Sequence, residues 1–87
     1  MKIVSSKKFE KSYKKRVAPN NNLVSKFRSR LDLFMVNSQD PVLRDHLLRG
    51  EKRSYRAFSV TGDIRVIYSK KDDKCVLLDI GSHNQVY

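Results

Sequence analysis

Residues 54–80 read SYRAFSV, TGD, IRVIYSK, KDDK and CVLLDI, three short apolar runs separated by two polar turn signals. Runs of six or seven residues rich in β-branched and aromatic side chains are strand-like, and Thr61-Gly62-Asp63 and Lys71-Asp72-Asp73-Lys74 are tight enough to reverse the chain. Ser54 to Val60, Ile64 to Lys70 and Cys75 to Ile80 are therefore predicted as an antiparallel meander. Side chains alternate between the two faces of a strand. Phe58 with Val60, Ile64 with Val66 and Tyr68, and Val76 with Leu78 and Ile80 are the sets expected to face the interior. Arg65 must then project from the opposite face of its strand.

Working outward toward the N-terminus, residues 41–53 form a polar connection containing Gly50. Asp40-Pro41 is expected to stop the helix before it, because proline disfavours helical backbone in the preceding residue. That helix carries Leu23, Val24, Phe27, Leu31, Phe34 and Met35 at helical spacing, with Asn22 as its expected cap. Pro19 and the run Asn20-Asn21-Asn22 separate it from an earlier helix, Lys7 to about Val17, capped by Ser5 or Ser6. Phe9, Tyr13 and Val17 recur every four residues there, while Lys7, Lys8, Lys11, Lys14 and Lys15 occupy the rest of its surface. Lys2 to Ser5, with Ile3 and Val4, is a short first strand that must join a sheet made elsewhere. The prediction is an α+β fold of order β-α-α-β-β-β, an antiparallel sheet of about four strands covered on one face by an N-terminal helical hairpin.

The chain has 87 residues, enough for one domain spanning 1–87 and too few for a deep cofactor cavity. Nineteen Lys and Arg against nine Asp and Glu give a formal charge of +10. Residues 1–30 hold ten of those cations and a single acid, Glu10. Such a balance points to a polyanionic partner, either nucleic acid or an acidic protein. Cys75 is the lone cysteine, so no internal disulfide and no thiolate zinc cluster is expected, in keeping with a reducing cytoplasm. Lysine returns at Lys7 before an apolar signal region forms, and the longest apolar run is Cys75 to Leu78. Neither export nor membrane insertion is predicted.

No glycine-rich phosphate loop, HExxH, GxSxG or CxxC pair occurs. His46 and His83 have no metal-ligand spacing, and the surrounding positive charge repels cations, so neither a metal nor a cofactor is expected. Metal-free RNA cleavage needs a group to help a 2′-hydroxyl attack, a cation for the charge gathering on phosphorus, and an acid for the departing 5′ oxygen. Arginine grips phosphate through a planar fork, and histidine exchanges protons near neutral pH. Arg65, His83 and His46 have the chemistry for these roles. An arginine on an exposed sheet face can equally serve only solubility, and loop histidines commonly do no chemistry; residue type alone does not separate the two. The lysines of the first helix are either a solvated face or an anchor on RNA phosphates. Tyr87, close to His83 in sequence, can cover a sheet edge or stack on a base.

Four segments in order carry a resemblance: Asp45-His46-Leu47-Leu48-Arg49-Gly50, Tyr55-Arg56-Ala57-Phe58, Gly62-Asp63-Ile64-Arg65-Val66-Ile67-Tyr68, and Leu78-Asp79-Ile80-Gly81-Ser82-His83-Asn84-Gln85-Val86-Tyr87. The chain resembles the RelE/ParE toxin superfamily, most closely its RelE/StbE and YafQ branch, with the motifs covering about residues 43–87. The resemblance implies the toxin of a type II toxin–antitoxin system: a ribosome-dependent mRNA interferase that cuts by the adjacent 2′-hydroxyl without metal. Its implied partners are an acidic antitoxin, the ribosome and mRNA, with operator DNA reached only through the antitoxin complex. It implies catalytic roles for His46, Asp63, Arg65, His83 and Tyr87. Lys7, Lys8, Lys11, Lys14, Lys15, Lys52, Arg53 and Arg56 form the expected RNA-binding set. The pattern departs at Ala57 and Ser59, where YafQ-like chains carry an acidic residue and a histidine. Two alternatives remain open on the sequence: a ParE-like gyrase inhibitor sharing the fold, and a non-catalytic RNA-binding or regulatory partner.

Overall fold

The computed structural model describes residues 1–50 and 54–87. Lys52 and Arg53, two of the expected RNA-binding cations, lie outside the described residues. Strand β1 (Lys2–Ser5) leads into helices α1 (Lys7–Arg16) and α2 (Asn21–Val36). Strands β2 (His46–Leu47), β3 (Arg56–Ser59), β4 (Ile64–Lys71) and β5 (Lys74–Ser82) follow, then a final helical turn, α3 (His83–Val86). The five strands form one sheet in the order β1-β5-β4-β3-β2.

The α+β class and the helical hairpin are as the sequence predicts, and the sheet differs in two respects. It is mixed, because β1 pairs parallel to β5 with Lys2 opposite Lys74 and Ser5 opposite Leu77. It also has a fifth strand, β2, paired antiparallel to β3 with His46 opposite Ala57. Both pairings depend on long-range docking, for which a short strand carries no local signal. The described part of the polar connection, residues 41–50, therefore contributes a strand to the sheet. It contains a 3-10 turn, Pro41–Leu43, whose Leu43 is fully buried. The α2 helix ends at Val36, before Asp40-Pro41, with Asn37 at its C-terminal boundary. Its N-cap is Asn20, whose side chain accepts from the backbone N–H of Asn22 and Leu23. The cap of α1 is Ser6, accepting from the Phe9 N–H at 3.0 Å. Each such cap satisfies donors that the first helical turn leaves unpaired.

One face of the sheet is closed by the helices. Phe9 and Tyr13 of α1 meet Phe27 of α2, with ring centroids 5.9 and 5.2 Å from it. Phe34 stacks on Phe58 at 4.7 Å and meets Tyr68 edge-on at 4.9 Å. Full burial of each ring contributes about 1.5–3 kcal/mol, and well-placed aromatic pairs add about 0.5–1.5 kcal/mol. Met35, expected in this core, is 50% exposed.

The expected inward set on the last strand requires correction. Cys75, Leu77 and Ile80 face the helices, while Leu78 packs on the opposite side. The cause is an irregularity in pairing: Ile67 opposes Asp79 but Tyr68 opposes Leu77, so one residue of β5 has no counterpart on β4. An inserted residue of this kind resets the alternation beyond it. On the second face, Leu48, Ala57, Ile67 and Val86 form a smaller cluster with Tyr55 and Leu78 against it.

Candidate active site

Arg65 leaves β4 on this second face, as alternation requires, since Val66 and Tyr68 enter the helix-side core. Its strand neighbours are Ser59 and Gly81. The next row across the sheet is His46, Ala57, Ile67 and Asp79. Directly opposed residues project from the same face, so Ala57 and Ser59, the two departures from the YafQ-like pattern, lie in the floor beside His46 and Arg65.

The short helix α3 brings the last aromatic over this floor. The Gln85 side chain accepts from the Ser82 N–H at 2.8 Å, closing the helical turn on itself. Val86 then inserts into the second-face cluster at 2% exposure, which fixes the position of its neighbour Tyr87. Gly81 permits this packing: a Cβ there would come within 2.7 Å of both Arg16 Nη1 and Gln85 Oε1. Arg16 uses that space to donate to the Ile80 carbonyl at 2.9 Å.

Three of the expected site residues converge on the fourth, Tyr87. The His83 ring is perpendicular to it with centroids 4.4 Å apart. Arg65 Cζ is 5.9 Å from the Tyr87 ring centroid, within cation–π range. The Tyr87 hydroxyl is 3.4 Å from His46 Nε2. His46 Nδ1 lies 2.9 Å from the Arg44 carbonyl. A carbonyl only accepts, so Nδ1 carries the proton; in the neutral ring Nε2 is then the acceptor for the Tyr87 O–H. Arg44 is held in a left-handed conformation, φ 49°, which aims that carbonyl at the ring. Burial pushes the Tyr87 hydroxyl above its ordinary pKa, and the Arg65 charge opposes the shift.

Arg65 makes one long hydrogen bond, from Nη2 to the Gly62 carbonyl at 3.4 Å, and its buried Nε has no partner among the described residues. Its guanidinium therefore retains donors for an incoming anion. The fifth expected catalytic residue, Asp63, is not brought to this cluster. It sits exposed in the β3–β4 turn, and its carboxylate has no hydrogen bond or ion pair among the described residues. It borders a separate depression with Lys15, Arg16, Ser82 and Gln85.

The basic set is dispersed. Lys7, Lys11, Lys14 and Lys15 are exposed along α1, whereas Lys8 forms an ion pair with Asp79 at 3.7 Å. Arg56 is committed to structure: its Nε donates to Asp45 Oδ1 at 2.7 Å. The other oxygen of Asp45 accepts from the Tyr68 hydroxyl. Asp45 raises the Arg56 pKa further, and burial together with this bond raises that of Tyr68. This clamp pins the start of β2, the strand carrying His46. Asp45 preceding His46 was its visible trace in the sequence, but its partners Arg56 and Tyr68 are 11 and 23 residues away. Among the described residues no group of three or more His, Cys, Asp and Glu side chains is placed to hold a metal ion, and no helix is long and apolar enough to cross a membrane.

Comparison with known proteins follows the same lines. Residues 1–87 match the family model of the bacterial toxin of type II toxin–antitoxin system, YafQ. Among solved structures, YafQ from E. coli superposes with a TM-score of 0.84 at 23% identity, over 98% of this chain and 96% of that one. A copper-bound mutant toxin from Helicobacter pylori gives 0.78 at 27% identity, over 100% and 99%. A chain of the E. coli DinJ–YafQ complex gives 0.81 at 24% identity, over 98% and 96%. No curated protein sequence matches the chain.

Proposed function

The chain belongs to the YafQ family of bacterial type II toxin–antitoxin toxins, whose known activity is that of an mRNA interferase, and we propose that it cuts ribosome-bound mRNA at the cluster around Tyr87 by metal-independent attack of the 2′-hydroxyl. The observation that carries this reading is the convergence of a guanidinium and two imidazoles on one tyrosine. In the proposed step the 2′ oxygen bonds to phosphorus and its proton passes to a base. The bond from phosphorus to the 5′ oxygen breaks and that oxygen takes a proton from an acid. The products are a 2′,3′-cyclic phosphate, or its opened form, and a free 5′-hydroxyl.

Arg65 supplies the charge that stabilises the phosphorane, with donors it does not spend inside the protein. His46 Nε2 faces the cluster, and its lone pair is able to receive the 2′ proton once the substrate hydroxyl displaces the long contact from the Tyr87 O–H. His83 is the group proposed to protonate the leaving oxygen. Asp63, exposed in the β3–β4 turn and apart from this cluster, is given no step in the proposed reaction. The exposed lysines of α1 would hold ribosomal RNA through phosphate contacts that weaken with salt. A cognate acidic antitoxin would cover the same basic molecule in the bacterial cytoplasm.

The deciding experiment follows mRNA on programmed ribosomes by primer extension and identifies the chemical ends left at the cut. Cleavage by the wild-type chain and its loss in a folded Arg65→Ala, His83→Ala double variant are expected. Unchanged cleavage by that variant would remove the proposed site, and a 5′-phosphate at the cut in place of the 5′-hydroxyl would remove the mechanism of 2′-hydroxyl attack.

A further inference from the structure

Behind His46, toward the helix side of the sheet, stands a carboxylate that takes no part in the proposed reaction. The Asp45 side chain is 5% exposed and accepts from two directions: Arg56 Nε donates to Oδ1 at 2.7 Å, and the Tyr68 hydroxyl donates to Oδ2. We propose that Asp45 is a positioning residue: gripped by Arg56 and Tyr68, it holds the Arg44 peptide so that the His46 proton stays on Nδ1 and the Nε2 lone pair faces the scissile site. The inference deepens the RNA-cleaving reading above and rests on its use of His46 as the base.

Asp45 does not reach the substrate from where it stands. Successive side chains of an extended chain point to opposite faces. With His46 on the second face, Asp45 is turned toward Tyr68, which is 2% exposed in the helix-side core. It acts instead through the backbone, which is fixed on both sides of Arg44. Leu43 is fully buried, and its N–H donates to the Asp40 carbonyl at 3.0 Å. On the other side Asp45 is held by its clamp, and beyond it the pairing of β2 with β3 takes over, with the Leu48 N–H donating to the Tyr55 carbonyl at 2.9 Å.

Between these anchors Arg44 adopts φ 49° and ψ 39°, a left-handed conformation that a residue with a Cβ avoids unless its surroundings impose it. Its carbonyl comes 2.9 Å from His46 Nδ1. Arg44 and His46 are both exposed, so little packing restrains the ring, and the anchored backbone supplies the aim. Which nitrogen of a histidine carries the proton follows from the bond its other nitrogen makes. With Nδ1–H committed to the carbonyl, Nε2 keeps the lone pair that a base needs. If Arg44 relaxes to ordinary backbone, the carbonyl swings away and the neutral ring is free to hold its proton on Nε2, where it would be unable to accept the 2′ proton.

The test reads two quantities in the full chain: single-turnover cleavage of mRNA on saturating programmed ribosomes, and the nitrogen NMR shifts of the neutral His46 ring. For the shifts, a His83→Gln background leaves His46 as the only histidine. Asp45→Ala should slow the saturated rate by about 10- to 100-fold, as displacing a catalytic group does, and leave the half-saturating ribosome concentration near wild type. It should also move the ring proton from Nδ1 toward Nε2. Asp45→Asn, whose carbonyl accepts from Arg56 and whose amide donates to the Tyr68 oxygen, should recover most of the rate. A folded Asp45→Ala chain with either the wild-type tautomer or the wild-type saturated rate would overturn the inference. If Asp45→Ala fails to fold, Arg44→Val and Arg44→Gly decide. Both lack the cation and only glycine takes left-handed backbone freely, so the Val variant should cut about tenfold more slowly than the Gly variant and hold more of its proton on Nε2. Equal rates and tautomers in that pair would overturn the inference as well. Absence of any cleavage by the wild type would instead sink the RNA-cleaving reading, while the ring shifts would still show whether Asp45 sets the His46 proton.

Discussion

The two faces of the sheet are built on opposite terms. The helix side is closed by Phe9, Phe27, Phe34, Phe58 and Tyr68, whose rings contact one another and exclude water. Among the described residues the other side is covered by the four-residue turn α3 with Leu48 and Tyr55, and next to this small apolar cluster stand Arg65, His46 and His83. A small protein buries little surface relative to its length, so one well-packed face must carry most of the stability. That leaves the second face able to hold a cationic group whose Nε is unpaired, a burden the core could not accept. The lesson is that substitutions on the two faces should separate activity from stability.

The largest effect is expected where the separation is cleanest. Arg65→Ala should lower mRNA cleavage on ribosomes by about 100- to 10,000-fold with little change in thermal midpoint. Equal losses in rate and midpoint would show that the second face also carries the fold. The converse variant, Phe34→Ala, should cost about 3–5 kcal/mol in denaturant unfolding, because it removes a ring that contacts both Phe58 and Tyr68. Gly81→Ala should cost about 1–3 kcal/mol and also weaken cleavage, since its methyl displaces Arg16 and Gln85 and so shifts α3. Urea midpoints and rates measured on one preparation would check both.

The smallest effect concerns Cys75 on the buried face. Burial pushes its thiol from 9.0 to about 11. Below pH 9 folded and unfolded chains both hold the proton and the thiol imposes no penalty. As pH rises from there to about 11 the unfolded chain ionises first, so stability falls. Cys75→Ser should flatten that decline, as seen in unfolding curves across this window, and native Cys75 should resist alkylation at pH 8.

How much of this was legible in the sequence differs by residue. The exposure of Arg65 to the second face followed from strand alternation, because Ile64, Val66 and Tyr68 fix its direction within five residues. The same rule failed for Leu78, since nothing local marks the irregular pairing that resets β5. The meeting of His46 with Tyr87 spans 41 residues. It depends on β2 adding to the sheet edge and on Val86 docking, neither of which has a periodic signature. Arg56 illustrates the reverse error: a surface cation by composition, it is bound to Asp45 in the fold.

By itself the sequence determined the first strand, the helical hairpin, the three-strand meander that follows, the basic N-terminal third and the side of β4 from which Arg65 emerges. These are matters of local periodicity, turn chemistry and charge, each settled within one or two turns of chain. Only the tertiary structure decided the parallel pairing of β1 with β5, the placing of His46 and His83 around Tyr87, and the separation of Asp63 from them. Those depend on which distant surfaces bury each other, and the energy of that choice belongs to no single segment.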